Sequence, residues 1–163
     1  MSDVTPRRAT AEDLPAVVAG LRALALDLDD PFNATSETLH SVLFGADAHS
    51  IALIAGGGTR PRGVALISPF MSTVLGHACI YVSDLWVAKD MRGHALGRRL
   101  LQAAAREGAA CWKARALYLN VYERSGESMA FYRHLGFEIS TTDRRASLKG
   151  GALDRLMAME GVT

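Results

Sequence analysis

D-L-W-V-A-K-D-M-R-G-H-A-L-G-R-R-L-L, Asp84–Leu101, is the stretch on which the reading of this chain turns. Leu85, Trp86 and Val87 have the apolar character of a strand end, and Lys89-Asp90 breaks it with a polar turn. Arg92-Gly93-His94-Ala95-Leu96-Gly97 then runs into a helix whose packing face is Leu96, Leu100, Ala103 and Ala104. Strand, glycine-containing turn and helix start, in that order, aim several unused backbone N–H groups at one spot. The helix dipole adds about half a positive charge there. Phosphate-type anions are the usual guests of such a spot. Two common phosphate loops are excluded: no Gly-Lys-Ser/Thr follows, and Gly93 and Gly97 have no third glycine in register for a dinucleotide fingerprint.

Upstream, Cys79–Val87 (C-I-Y-V-S-D-L-W-V) reads as a strand with almost no polar break, which wants cover on both faces. Ser50–Ala55 and Gly63–Ser68 are strands joined by the turn-rich Gly56–Arg62; Pro69 loosens pairing, and the strand can resume through Met71. Thr73–His77 makes the next turn. Val4–Ala9 reads as a short first strand. Thr10-Ala-Glu-Asp resembles a capping box, while Pro15 favours a helix start nearer Asp13. Val17, Leu21, Leu24 and Leu28 keep helical spacing, and Ser36–Phe44 is a second helix ended by Gly45. Downstream, the helix from Leu96 ends at Gly108 or runs on to Lys113; Ala116–Tyr122 is a strand. Ser125 caps a helix over Gly126–Leu135, with Gly136 at its left-handed end, and Phe137–Ser140 returns as a strand. Thr141–Gly151 is a loop, and Ala152–Met159 is ambiguous by pattern.

At 163 residues the expectation is one domain, with apolar content of 49% and charged content of 21% ordinary for a globular protein. A net charge of +1 gives no reason to expect nucleic acid or an anionic membrane. Cys79 and Cys111 sit in apolar surroundings and are expected as buried, reduced thiols of a cytoplasmic protein. The five histidines form no metal-binding spacing, so no metal is expected. The first residues lack the apolar core of a signal peptide, and no run is long enough to span a membrane. Asp27, Asp29 and Asp30 crowd the end of the first helix, where acidic groups oppose the dipole. A solvated loop accounts for them, and a cationic partner would offset them.

R-G-H-A-L-G (Arg92–Gly97) resembles the Arg/Gln-x-x-Gly-x-Gly/Ala signature of GNAT-type N-acetyltransferases, and F-Y-R-H-L-G-F (Phe131–Phe137) resembles that family's second signature. With the Arg-Ala-Thr-x-x-Asp opening, the likeness covers nearly the whole chain. It implies a mixed, mostly antiparallel twisted α/β sheet with helices on both faces, ordered β-α-α-β-β-β-α-β-α-β-β. In that order Ala152–Met159 is a closing strand. The implied cofactor is acetyl-CoA, leaving as CoA. Its pantetheine arm would pair with the backbone of Leu85, Trp86 and Val87, where the strands matched by Cys79–Val87 and Ala116–Tyr122 splay apart. Its pyrophosphate would meet Arg92, Gly93, His94, Ala95, Leu96, Gly97 and Arg98. Ala95 replaces the signature's middle glycine, and its methyl limits how close a pyrophosphate comes.

The implied reaction is attack of a primary amine on the thioester. An alkylamine with a pKa near ~10 is mostly protonated and must lose a proton first. Asp84 is the nearest carboxylate. Ser83 stands where related polyamine acetyltransferases carry glutamate, and can hold a relay water. His77 is a further candidate base. Tyr132 falls at the family's general-acid position, and a phenol can protonate a departing sulfur. Ser125 occupies the place of an asparagine near the pantetheine; it also serves as a plain helix cap. Asp30, Glu37 and His77, on the loops Asp29–Glu37 and Phe70–His77, are the expected acceptor-binding residues. The acceptor is read as a small-molecule amine, polyamine- or amino-acid-like, with a homodimer common among such proteins. The rival reading is a non-catalytic acetyl-CoA sensor.

Overall fold

The computed structural model describes residues 4–159. Two compact units form, Met1–Tyr122 and Glu123–Thr163. The first holds β1 (Arg7–Arg8), α1 (Leu14–Leu28), α2 (Ser36–Phe44), β2 (Ile51–Ala55), β3 (Gly63–Ser72), β4 (His77–Val87), α3 (Leu96–Trp112) and β5 (Ala116–Leu119). The second holds α4 (Gly126–His134) and α5 (Gly151–Ala158).

The five strands lie in chain order in one sheet, antiparallel except for the parallel β4–β5 pair. Two close approaches show that helices cover both faces. A Cβ on Gly20 of α1 would come within 2.4 Å of Val64 Cγ2, and one on Gly63 within 2.8 Å of Leu100 Cδ1 of α3. Neighbouring strand residues point to opposite faces, so α1 and α3 flank the sheet from opposite sides. Val17, Leu21, Leu39 and Leu43 pack with Ala52, Ile54 and Val64 on the α1–α2 side. Leu96, Leu100 and Ala104 are buried on α3. Each of the larger buried side chains contributes roughly 1.5–3 kcal/mol.

The helix start near Asp13 is held twice over. Asp13 Oδ2 accepts from the Thr10 backbone N–H at 2.9 Å and from Thr10 Oγ1 at 3.1 Å. Arg7 adds a two-pronged ion pair to the same carboxylate at 2.6 and 2.8 Å. The Arg7 guanidinium and the Thr10 N–H hold the Asp13 carboxyl well below the usual carboxylate range. Helix α3 runs on to Trp112 with Lys113 in a left-handed cap, because Gly108 serves contact rather than termination. A Cβ there would lie 2.3 Å from Ile80.

Several expectations need correction. Strand β3 continues through Pro69 to Ser72; Pro69 lies beyond the last β2 pair, Ile51–Ile67, and stays in register with Ile80 of β4. The first and last strands of the sheet shrink to Arg7–Arg8 and Ala116–Leu119. Phe137–Ser140 is not a strand. Ala152–Met159 is not a closing strand either: Gly151–Ala158 is helix, following the three- and four-residue spacing of Leu153, Leu156 and Met157. No β-branched residue in that run argues for a strand. Cys111 is exposed rather than buried, and both cysteines are free.

Candidate active site

The site begins with one extra residue. Leu66 pairs with Asp84 and Ile67 with Val82, so Ser83 stands opposite no partner and forms a β-bulge in β4. The bulge switches side-chain parity. Ile80 faces α3, packed beside Gly108, whereas Trp86, six residues on, faces α1, packed beside Gly20. An unbroken strand would put both on one side.

The bulge also coincides with the end of pairing to β5. The parallel ladder runs from Cys79–Ala116 to Val82–Leu119 and stops. From Asp84 to Val87, β4 stays paired with β3 but has no β5 partner. Leu85, Trp86 and Val87 therefore lie on an unpaired edge. Directly downstream, α3 starts with Ala95 as its N-cap. The first turn-closing bond is Arg99 N–H to Ala95 O at 3.0 Å, so the N–H groups of Leu96, Gly97 and Arg98 have no intrahelical acceptor. Gly93 and Ala95 both have positive φ, 78° and 60°. For Ala95 this is a strained left-handed conformation, which explains why a glycine suits that place. A strand edge with open backbone groups, followed by an exposed helix N-terminus, fits a long cofactor with an amide-bearing tail and a diphosphate.

The polar side chains around this mouth are already paired. Ser83 Oγ donates to Asp84 Oδ2 at 2.6 Å, and it also lies 3.3 Å from Leu66 O. Burial pushes the Asp84 carboxyl up, and the serine bond opposes this only in part. Asp27, at the end of α1, accepts from Trp86 Nε1 at 3.2 Å and from Arg92 Nη2, with Lys89 Nζ at 3.7 Å. Arg92 Nε donates to Val87 O at 3.1 Å. The Arg92 side chain thus ties α1, β4 and the turn together. Part of the acidic cluster at the end of α1 therefore finds its cations within the chain. Asp30 accepts from Tyr122 Oη at 2.8 Å, and Asn120 Nδ2 donates to Tyr81 Oη at 2.9 Å. His94 Nδ1 lies 2.9 Å from Arg92 O, and Arg98 is exposed.

In the second unit, Tyr132 is buried, its ring centroid 5.2 Å from Phe131 and 5.3 Å from Phe137. Burial raises its pKa, so it stays a protonated donor at neutral pH. Gly136, with φ 90°, lets the Phe137 N–H reach back to Tyr132 O at 3.0 Å, which holds the aromatic pair in place. Ser125 is the N-cap of α4, but its side chain makes no cap bond.

The structure brings Ser83, Asp84, Leu85, Trp86 and Val87 to the end of β4 adjoining the turn Arg92–Arg98. It does not bring His77 there: His77 starts β4, roughly 20 Å from Asp84 at strand rise. Its Nδ1 lies 3.0 Å from Ala78 O. Glu37 is exposed in the first turn of α2. The bulge itself left a trace in the sequence: apolar residues at Ile80 and Val82 resume at Leu85 and Val87, a three-residue step across Ser83-Asp84. The acidic cluster flags Asp27 but not its partner Arg92, and nothing local announces Tyr81, Asn120 or Tyr122, whose partners lie far along the chain.

A sequence model of the acetyltransferase (GNAT) family matches residues 21–137. No curated protein matches the chain. Among solved structures, an integron cassette protein from the mobile metagenome of V. cholerae is 18% identical with a TM-score of 0.74, covering 94% of this chain and 97% of that one. An aminoglycoside acetyltransferase from an uncultured soil metagenomic sample, in complex with sisomicin, is 15% identical with a TM-score of 0.73, covering 89% and 96%. Aminoglycoside N-acetyltransferase AAC(6')-Iy in complex with CoA is 15% identical with a TM-score of 0.69, covering 90% and 93%. At these identities the likeness is one of fold.

Proposed function

The chain belongs to the acetyltransferase (GNAT) family and is an acetyl-CoA-dependent N-acetyltransferase; on that premise we propose that it acetylates the primary amine of a small molecule, polyamine- or amino-acid-like. The observation that carries this reading is the end of β4–β5 pairing at Val82–Leu119, immediately upstream of an open helix N-terminus. Acetyl-CoA supplies an acetyl group activated as a thioester and leaves as CoA. The backbone of Leu85, Trp86 and Val87 holds its amide-bearing arm, and the N–H groups from Gly93 to Arg98 hold its diphosphate. Arg92 works mainly through its tie to Asp27, and Ser125 is assigned to the arm on its place in the sequence alone, its hydroxyl not being used as a cap.

Asp84 takes the proton from the incoming ammonium, directly or through a water held by Ser83. A carboxyl raised by burial is a stronger base than an exposed one, and the Ser83 hydroxyl stabilises its ionised form. Tyr132 is assigned as the acid for the departing thiol, on the donor chemistry of its phenol and its place in F-Y-R-H-L-G-F. The reading takes residues 1–163 as one catalytic domain, cytoplasmic, with a homodimer as its assembly and neither nucleic acid nor membrane as partner. Among the described residues no helix is long and apolar enough to cross a membrane. Of the two acceptor kinds, the polycationic one is less favoured, because Asp27 and Asp30 are already bonded within the chain.

The test is thiol release from acetyl-CoA across a panel of primary amines. Wild type releases thiol with at least one amine, and Tyr132→Phe lowers the rate ~10²-fold or more. Silence across the panel sinks the proposal, and an unaffected Tyr132→Phe removes that residue from the mechanism. Acetyl-CoA at a hundred times its dissociation constant should add ~2.7 kcal/mol to stability.

A further inference from the structure

The α1 side of the sheet is divided at Asp84. Toward Val87 it is covered: Val64 and Trp86 pack beneath Gly20 of α1. Toward His77 it carries an aromatic surface. Ile80 faces α3, so its neighbours Cys79 and Tyr81 face the α1 side. Phe70 pairs with Cys79, and Tyr118 with Tyr81, which puts both on the same side. The Phe70 and Tyr118 rings meet edge to face at 5.2 Å, yet remain 39% and 45% exposed. Asn120 Nδ2 donates to Tyr81 Oη at 2.9 Å, which holds that ring's polar tip.

The bulge at Ser83 connects this surface to the proposed base. Tyr81 and Asp84 are three residues apart and would face opposite ways in a regular strand. The extra residue brings them to one side, ~10 Å apart along the strand. One face therefore presents a ring-binding platform with a desolvated carboxyl at its inner edge. Exposed aromatic rings in a group are matched by a flat ring, stacked or edge-on.

We propose that Phe70, Tyr81 and Tyr118 form an acceptor subsite for arylalkylamines: the substrate's ring rests on this platform and a short tether delivers its amine to Asp84. The inference rests on the N-acetyltransferase reading of Asp84 and adds the class of acceptor. It also chooses a single ammonium on an aromatic body over a polycation.

The test is equilibrium binding to the full chain, alone and with CoA, comparing phenethylamine and phenylbutylamine with n-hexylamine, followed by thiol release with each. The arylalkylamines should bind about 10-fold more tightly than n-hexylamine. Tyr118→Leu and Phe70→Leu should each remove about 3- to 10-fold of that advantage and leave n-hexylamine binding unchanged, with the melting temperature lowered by no more than about 5 °C for the lost ring contact. Equal binding of all three amines, no binding of any, or an aromatic preference that survives both variants overturns the subsite. Aromatic preference lost in the variants but without thiol release keeps the subsite and overturns the transferase assignment at Asp84.

Discussion

Strand β4 has two halves that differ in everything but chain continuity. Cys79–Val82 is paired on both edges, with Cys79, Ile80 and Val82 at most 3% exposed. Past the unmatched Ser83, Asp84–Val87 is paired on one edge only, and the whole of Ser83–Val87 is half-buried or exposed. One unpaired residue and one lost neighbour turn a structural strand into a chemical one. The first half has a neighbour on each edge to take up its backbone groups; the second has one open edge, whose groups are left for a ligand.

The largest expected effect lies in the second half. Asp84→Asn should lower acetyl transfer by ~10² to 10⁴-fold while raising stability at neutral pH, since the amide keeps a bond to Ser83 without a desolvated charge. The pH dependence follows from the raised pKa. Wild-type stability from this group is fully present below the unfolded value of ~3.9 and is lost as pH rises through the folded value, so the variant's advantage should vanish at low pH. Urea titrations of both proteins at pH 4 and pH 8 measure it; a variant that loses stability at pH 8 would show the carboxylate to be structural.

Next in size, Gly108→Val should destabilise the chain by about 1–3 kcal/mol, because a Cβ there collides with Ile80 in the closed half of β4. Denaturant midpoints decide it, with cofactor affinity expected to hold in the folded fraction. Asp27→Asn should cost about 1 kcal/mol, discounted for partial exposure, and weaken acetyl-CoA binding several-fold by releasing Arg92 from its place beside Val87. Equal affinity in that variant would break the link between α1 and the open half. The smallest effect is Ala95→Gly. Relief of a left-handed alanine, partly offset by greater freedom of the unfolded chain, should gain no more than ~1 kcal/mol in thermal denaturation.

The elements that define the fold were readable because they rest on local rules. The turn at Gly93–Gly97, the apolar run Cys79–Val87, the Asp13 helix start and the Gly136 cap each depend on residues a few positions apart. The C-terminal segment misled for the opposite reason: its pattern was ambiguous, and the family likeness tipped it toward a strand that α5 replaces. At the candidate site, the end of the paired strand ahead of the glycine turn was legible. The bonds of Asp27 to Arg92 and of Asp30 to Tyr122 were not, since they join positions 65 and 92 residues apart. His77 shares β4 with Asp84 but lies at the other end of the strand, a separation that its position in the chain already implied.

Because the bulge in β4 is a single unmatched residue, the strand can be exchanged only under a counting constraint. A chimera crossing over between Val82 and Asp84 with a donor that lacks the extra residue would turn every later side chain inside out, burying Asp84 against α3 and driving Leu85 and Val87 toward α1. Shuffled libraries of such sheets should therefore yield folded progeny when the breakpoint respects this odd count, and aggregates when it does not.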